Sequence, residues 1–213
     1  MNTPRPSTIA RISWGLTGAV LALTVFVAWD NWGDTWLAPA KPVASAPAGV
    51  TPLEKTAQIE RGQYLARAGN CVACHSARGA EPMAGGRRIE TPFGAVFSSN
   101  LTPDVRTGLG AWNTQDFWQA LHHGRSKDGR LLTPAFPYNH TSVITRADSD
   151  DLLAWLQSLP PVDQPAQPHT LIWPVGTQAA LAVWRTLFFS PSPFKPDPTQ
   201  SAEWNRGAYL VQG

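Results

Sequence analysis

Cys71-Val72-Ala73-Cys74-His75 is the stretch that most narrows what this chain can become. These are the only two cysteines in 213 residues, so no disulfide-rich scaffold is available. The pattern Cys-x-x-Cys-His is the attachment signal of a c-type haem. The spacing has a physical reason. In one helical turn two thiols three residues apart lie on the same side and can both form thioethers with the haem vinyl groups. His75 then presents its imidazole to the iron as the proximal ligand. A redox dithiol calls for a βαβ context, which the pattern lacks. A zinc site calls for further thiolate or imidazole partners in a second ligand pair, and no third cysteine exists.

A haem domain of this kind needs helices to close around the group. Pro52 and Leu53 begin a helical stretch that runs through Glu54 to Ala68, with Gly69 as its stop. It leads directly into Cys71. Thr114 to His123 is a second helix, with Asn113 as N-cap and Gly124 as stop. A third spans about Asp150 to Leu159, with Asp148 as its cap and Pro160-Pro161 behind it. Leu152, Trp155, Leu156 and Leu159 give it one apolar face at i, i+3, i+4 and i+7. Gly62, unfavourable in a helix by about 1 kcal/mol relative to Ala, makes sense if the first helix must approach Trp155 closely. Between these helices lie long loops, over His75 to Asn113 and through Pro134 and Pro137, and no strand alternation is visible. The 20 prolines and 17 glycines fit that loop-rich, all-α reading.

The N-terminus reads differently. Ile12 to Trp29 carry no charge and are mostly apolar. As a helix they would be about 27 Å long, near the ~30 Å of a bilayer's hydrocarbon core. Arg5 and Arg11 precede this run, and Asp30 and Asp34 follow it. The positive-inside bias then puts the haem domain outside the cytoplasm, with Trp29, Trp32 and Trp36 as an interfacial belt. The expectation is a single N-terminal transmembrane helix within residues 1–29. The alternative is a cleaved signal peptide, whose small-residue sites, Ala38-Pro39-Ala40 and Ala44-Ser45-Ala46, lie far beyond the apolar run. Either way the domain is exported, and an inner-membrane location facing the periplasm is expected. Arg5 and Arg11 also account for the net charge of +2, leaving the rest of the chain balanced with no basic stripe. A nucleic-acid partner is excluded on that ground.

The remaining organisation follows. Residues 30–52 read as a tether, 53–160 as the haem domain, 161–201 as a Pro-rich connector. Within the connector, Thr177 to Phe189 form a helix bearing Leu181, Trp184, Leu187 and Phe188, either a cover for its own domain or a docking surface for a partner subunit. Arg61-Gly62-x-Tyr64-Leu65 recurs as Arg206-Gly207-x-Tyr209-Leu210. Residues 202–213 therefore read as the start of a second, truncated cytochrome domain, with a further Cys-x-x-Cys-His expected beyond Gly213.

Several segments, in order, resemble one family. They are Arg61-Gly62-x-Tyr64-Leu65, the cysteine motif, Ala84-Gly85-Gly86, Thr91-Pro92-Phe93-Gly94, Asn100-Leu101-Thr102-Pro103-Asp104 and Thr107-Gly108-x-Gly110-x-Trp112. Pro134-Ala135-x-Pro137-Tyr138, Leu159-Pro160-Pro161-Val162 and Glu203-Trp204-Asn205-Arg206-Gly207 complete the series. Together they resemble the membrane-bound multihaem cytochrome c subunits of bacterial periplasmic dehydrogenases. The resemblance implies a class I-like cytochrome c fold, covalent haem c with its iron, and electron transfer without substrate chemistry. The implied partners are a dehydrogenase catalytic subunit and, downstream, quinone or a terminal oxidase. In the quinoprotein alcohol dehydrogenase branch the residue between Ala135 and Pro137 is the methionine iron ligand. Here it is Phe136, which cannot bind iron, and Pro134 to His140 looks more like the molybdenum hydroxylase branch, whose members oxidise aldehydes or N-heterocycles such as nicotinate. The candidate sixth ligand is His140, in the loop that supplies that ligand in the family. Met83 is the alternative, eight residues beyond His75 and within a reach of about 28 Å. The rival class is a haem enzyme or ligand sensor with an open iron site.

Overall fold

The structure is a computed structural model that describes residues 8–37 and 51–212, with α1 side chains described over 16–33. The tether's residues 38–50, both small-residue cleavage sites and the extreme N-terminus lie outside the described residues. Two compact units are present, each treated on its own: Val43–Leu181 with Ser190–Gly213, and Met1–Pro42 with Ala182–Phe189.

In the larger unit, α2 (Pro52–Ala68) starts where the sequence places it, because Pro52 suits the first turn and Thr51 closes a capping box with Glu54. Gly69 caps its end, and Asn70 turns the chain through a left-handed conformation, φ 50°, into the one-turn helix α3 (Cys71–His75). The helix α4 (Thr114–His123) has the predicted limits, with Asn113 capping Gln115 and Asp116 and Gly124 stopping it at φ 54°. The last helix of the core, α6 (Arg146–Gln157), begins earlier than expected. Its N-cap is Thr145, whose hydroxyl accepts from the Asp148 N–H at 3.2 Å, so Asp148 sits inside the first turn rather than capping it.

The helix α2 crosses α6 at Gly62. A Cβ there would lie 2.0 Å from the Asp151 carbonyl oxygen and 2.8 Å from Trp155 Cβ, so only glycine permits the approach. Beside the crossing the Arg61 guanidinium donates to both carboxylate oxygens of Asp151, at 2.6 and 3.0 Å. Asp151 is buried, and this bidentate contact supplies its counter-charge. Ala66, Met83, Leu109, Phe117, Leu121, Leu152, Leu153 and Leu156 form the buried core around the crossing. Each fully buried leucine contributes on the order of 1.5–3 kcal/mol relative to exposure. Leu153, which lies off the predicted face, is as deeply buried as Leu156 because α6 is covered on two sides.

Two features depart from the purely helical expectation. A three-stranded antiparallel sheet forms from β1 (Arg88–Thr91), β2 (Gly94–Phe97) and β3 (Thr170–Leu171), in the order β1-β2-β3. Strands of two to four residues are too short to show a period-2 pattern in sequence. A four-residue helix, α5 (Tyr138–Thr141), interrupts the loop after Pro137. The connector holds α7 (Gln178–Phe188), and α8 (Ala202–Gln212) carries the repeated Arg-Gly motif. Gln178 anchors the start of α7, accepting from Leu131 N–H at 2.8 Å and donating to Leu131 O at 3.1 Å. Tyr209 of α8 is buried, and its hydroxyl accepts from the Thr145 N–H at 3.0 Å.

The smaller unit revises the expected anchor and tether. The helix α1 (Thr8–Leu37) runs through the apolar stretch and on into the predicted tether. Among the described residues no helix is long and apolar enough to cross a membrane, so a transmembrane span is not supported. Inside the same helix, Asp30 and Asn31 follow the apolar stretch and hydrogen-bond to Thr186 and Ala182.

The two copies of the Arg-Gly motif give opposite expectations. Gly62→Ala should destabilise by roughly 1–3 kcal/mol, the ordinary penalty of overpacking. Gly207→Ala meets nothing within 4 Å and should stabilise α8 by up to about 1 kcal/mol. Thermal denaturation of the two single variants checks this; equal shifts would contradict the close crossing.

Candidate haem site

The helical turn Cys71–His75 is brought to the core by α2. Cys71 packs against the buried cluster, while Cys74 is exposed one position before His75. Burial pushes the Cys71 thiol above its ordinary pKa. Neither cysteine is in a disulfide.

His75 is fixed by a contact that the sequence did not reveal. Its Nδ1 lies 2.8 Å from the Ser99 carbonyl oxygen. A carbonyl can only accept, so Nδ1 carries the proton and Nε2 keeps its lone pair for a metal. Burial also holds the His75 pKa below the usual 6.5, outweighing the opposite pull of that carbonyl. The imidazole is therefore neutral at pH 7, as a ligand must be. Nothing in the sequence marks Ser99 except that it immediately precedes Asn100-Leu101-Thr102.

That motif explains why the carbonyl is aimed correctly. Asn100 Oδ1 accepts from the Thr102 N–H and hydroxyl at 2.9 and 2.7 Å, and its Nδ2 donates to Val162 O at 2.7 Å. Asp104 Oδ1 accepts from the Thr107 N–H and hydroxyl at 2.7 and 2.8 Å. On the other flank of His75, Gly85 N–H donates to His75 O at 2.8 Å and Met83 N–H to Ser76 Oγ at 3.0 Å. Gly85 has φ +77°, and a Cβ there would come within 2.5 Å of the Ser99 carbonyl, so glycine is required where the two strands of the cradle meet.

The sixth-ligand candidates separate in space. Met83 is buried, 3% exposed, and its backbone is strapped to the flank of His75 by the bonds just given. Phe136 packs against the same cluster as Cys71, four residues before His140. His140 stands exposed on α5. His169 is occupied, accepting at Nδ1 from the Phe97 N–H at 3.2 Å. His122 is buried, stacked on Trp118 with ring centroids 4.0 Å apart. A separate apolar cleft of about 490 Å³ lies between Val72, Met83, Trp155 and Leu159. Val72, between the two cysteines, is the residue of the Cys71–His75 turn that lines it.

The donor set fits haem c: two thiols and a neutral, oriented imidazole on one turn, against an apolar cluster. Cys71 and Cys74 would attach the group and His75 would ligate its iron. The fold and this turn define a c-type cytochrome domain. Residues 59–160 match the Cytochrome c family, and this part of the chain is a cytochrome c domain.

The chain is 43% identical over 178 residues to a nicotinate dehydrogenase subunit of Pseudomonas putida, covering 84% of this chain and 15% of that protein. It is 41% identical over 159 residues to the gluconate 2-dehydrogenase cytochrome c subunit of Pantoea cypripedii, covering 74% of this chain and 36% of that one. It is 41% identical over 166 residues to the cytochrome c subunit of a quinone-dependent alcohol dehydrogenase of Gluconacetobacter polyoxogenes, covering 76% of this chain and 35% of that one. The chain thus spans about a third or less of the length of these relatives.

His122 supplies a pH prediction. Burial holds its pKa below 6.5, so the unfolded chain binds this proton at higher pH than the native one. The stability it contributes is whole above about pH 6.5 and is lost as pH falls through the folded value. Acidification from about pH 7.5 to about pH 5 should therefore lower the Tm of the native protein more than that of His122→Leu. Equal losses in the two proteins would contradict this.

Proposed function

We propose that this chain carries electrons through a covalently bound haem c, receiving them from the catalytic subunit of a periplasmic dehydrogenase. The observation that carries this reading is the Cys71–Cys74–His75 turn with His75 Nδ1 held by the Ser99 carbonyl. When bound, haem iron supplies one-electron chemistry by cycling between its ferric and ferrous states. The protein's part is to hold the group. Cys71 and Cys74 would anchor it and His75 Nε2 would ligate its iron, beside the apolar cluster that Cys71 touches.

The molybdenum hydroxylase type of partner is favoured, with the quinoprotein alcohol dehydrogenase type next. Phe136 at the position of the alcohol-type methionine supports this order, and so does the 43% identity with a nicotinate dehydrogenase subunit. Quinone or a terminal oxidase is the proposed acceptor. The location is the periplasmic face of the inner membrane, because haem c is attached outside the cytoplasm and Leu16 to Trp29 expose a run of apolar side chains. Carbonate washing should leave the protein in the membrane pellet; release by the wash would contradict membrane insertion.

His140 is proposed as the sixth ligand. Met83, the alternative, is strapped to the flank of His75, whereas the α5 segment follows Phe136 on a separate loop. His140→Ala should turn a low-spin iron high-spin and open it to carbon monoxide. An unchanged spectrum in that variant would eliminate His140. For the function itself, the protein purified with its catalytic subunit should show haem reduction on addition of that subunit's substrate. A resting protein that already binds carbon monoxide and turns over peroxide would favour the haem-enzyme reading that Phe136 leaves open.

A further inference from the structure

The second half of α7 is built around one polar latch. Asn31 of α1 is 1% exposed, and its Nδ2 donates to Ala182 O at 3.1 Å and to Thr186 Oγ1 at 3.0 Å. Its Oδ1 accepts from Arg185 Nε at 3.0 Å. Asp30 accepts from the Thr186 hydroxyl at 2.7 Å. Arg185 is itself 7% exposed and lies over the Phe189 ring at 4.7 Å. Ala182, Arg185, Thr186 and Phe189 thus form the face turned to α1, at i, i+3, i+4 and i+7.

Arg185 is the only charge in Ala182–Phe189, and the latch turns it inward. The outward face is left wholly apolar: Val183, Leu187 at 67% and Phe188 at 66% exposure, with Trp184 against Phe188 at 6.0 Å. A solvated helix of this length would carry charge on its outer face.

Two observations decide what covers it. Over Leu16 to Phe26, α1 exposes Leu16, Val20, Leu21, Leu23, Val25 and Phe26, which lie on all sides of the helix. A helix apolar on every side is covered by a large protein core or by lipid, and since these side chains stand exposed with no core of their own around them, lipid is the cover they fit. The latch joins the inner face of α7 to Asp30-Asn31 at the polar end of that same stretch, so the two segments it ties together carry Trp29 and Trp32 on one side and Trp184, Phe188 and Phe189 on the other. Aromatic side chains gathered where an apolar helix turns polar are the mark of a lipid–water interface.

We propose that Ala182–Phe189 is an interfacial segment that inserts Val183, Leu187 and Phe188 into a lipid surface, positioned there by the Asn31–Arg185 latch. It rests on the membrane attachment proposed above. The segment then fixes where the chain meets the membrane from a second point, far along the sequence from α1.

The test uses the full haem-loaded chain reconstituted in vesicles of phosphatidylethanolamine and phosphatidylglycerol. An environment-sensitive dye is placed on Val20→Cys, Leu187→Cys or, as a control on the haem domain, Ala80→Cys. Quenchers are a nitroxide on the lipid acyl chain and iodide in water. The expected result is blue-shifted emission at Val20 and Leu187, lost to the lipid quencher and spared by iodide, with the reverse at Ala80. Asn31→Ala added to Leu187→Cys should return that dye to iodide while Val20 stays in lipid. Lipid quenching at Val20 but iodide quenching at Leu187 would overturn the interfacial segment and leave the membrane attachment standing. Iodide quenching at both would overturn both. A Leu187 dye shielded from both quenchers would assign the face to a protein partner and also overturn the proposal.

Discussion

The close crossing of α2 and α6 at Gly62 is the constraint from which the haem domain is built. The Asp151 carbonyl occupies the space a side chain would need, and Arg61 seals the crossing by pairing with the buried Asp151 carboxylate. Because α2 runs through Gly69 and Asn70 into Cys71, fixing α2 against α6 also fixes Cys71, the first thiol proposed to hold haem. Leu152 and Leu156 of α6 and Ala66 of α2 meet in the core that Cys71 touches. Stability and cofactor placement therefore depend on the same contact.

The second half of the site comes from loops rather than helices. Ser99 orients His75, and Ser99 is held by a hydrogen-bond knot in which Asn100, Thr102 and Thr107 converge on the carbonyl of Val162. The chain after α6 thus returns to brace the loop before α4. This is how a domain with few regular elements still presents a rigid imidazole. The long proline- and glycine-rich segments are not slack connections; their side chains supply the hydrogen bonds that a sheet or helix backbone would otherwise provide.

The helices were legible in the sequence because their signals are local. Asn113 and Gly124 bracket α4, Pro52 and Gly69 bracket α2, and the Gly62–Trp155 approach follows from a glycine in a helix that leads to the motif. The haem motif was legible for the same reason, since Cys71, Cys74 and His75 act within one turn. What was hidden depends on partners distant in sequence. Ser99 has no side-chain signature, as it works through its backbone. The pairing of Gly94 and Ala95 with Leu171 and Thr170 ties the connector back to the haem domain. Thr145 took the cap from Asp148 because its hydroxyl sits three residues earlier, which two neighbouring capping candidates do not reveal. The apolar run of α1 was visible, but the Asn31–Arg185 latch that ends it joins residues from opposite ends of the chain.

Everything proposed for this chain depends on Cys71 and Cys74 holding haem covalently. Mass spectrometry of the tryptic fragment Ala68–Arg78 from the native protein, after treatment with a thiol-alkylating reagent, tests it directly. The expected fragment carries one haem, with neither cysteine alkylated. A fragment without haem and with both cysteines alkylated, from protein made in a host able to attach haem c, would contradict it.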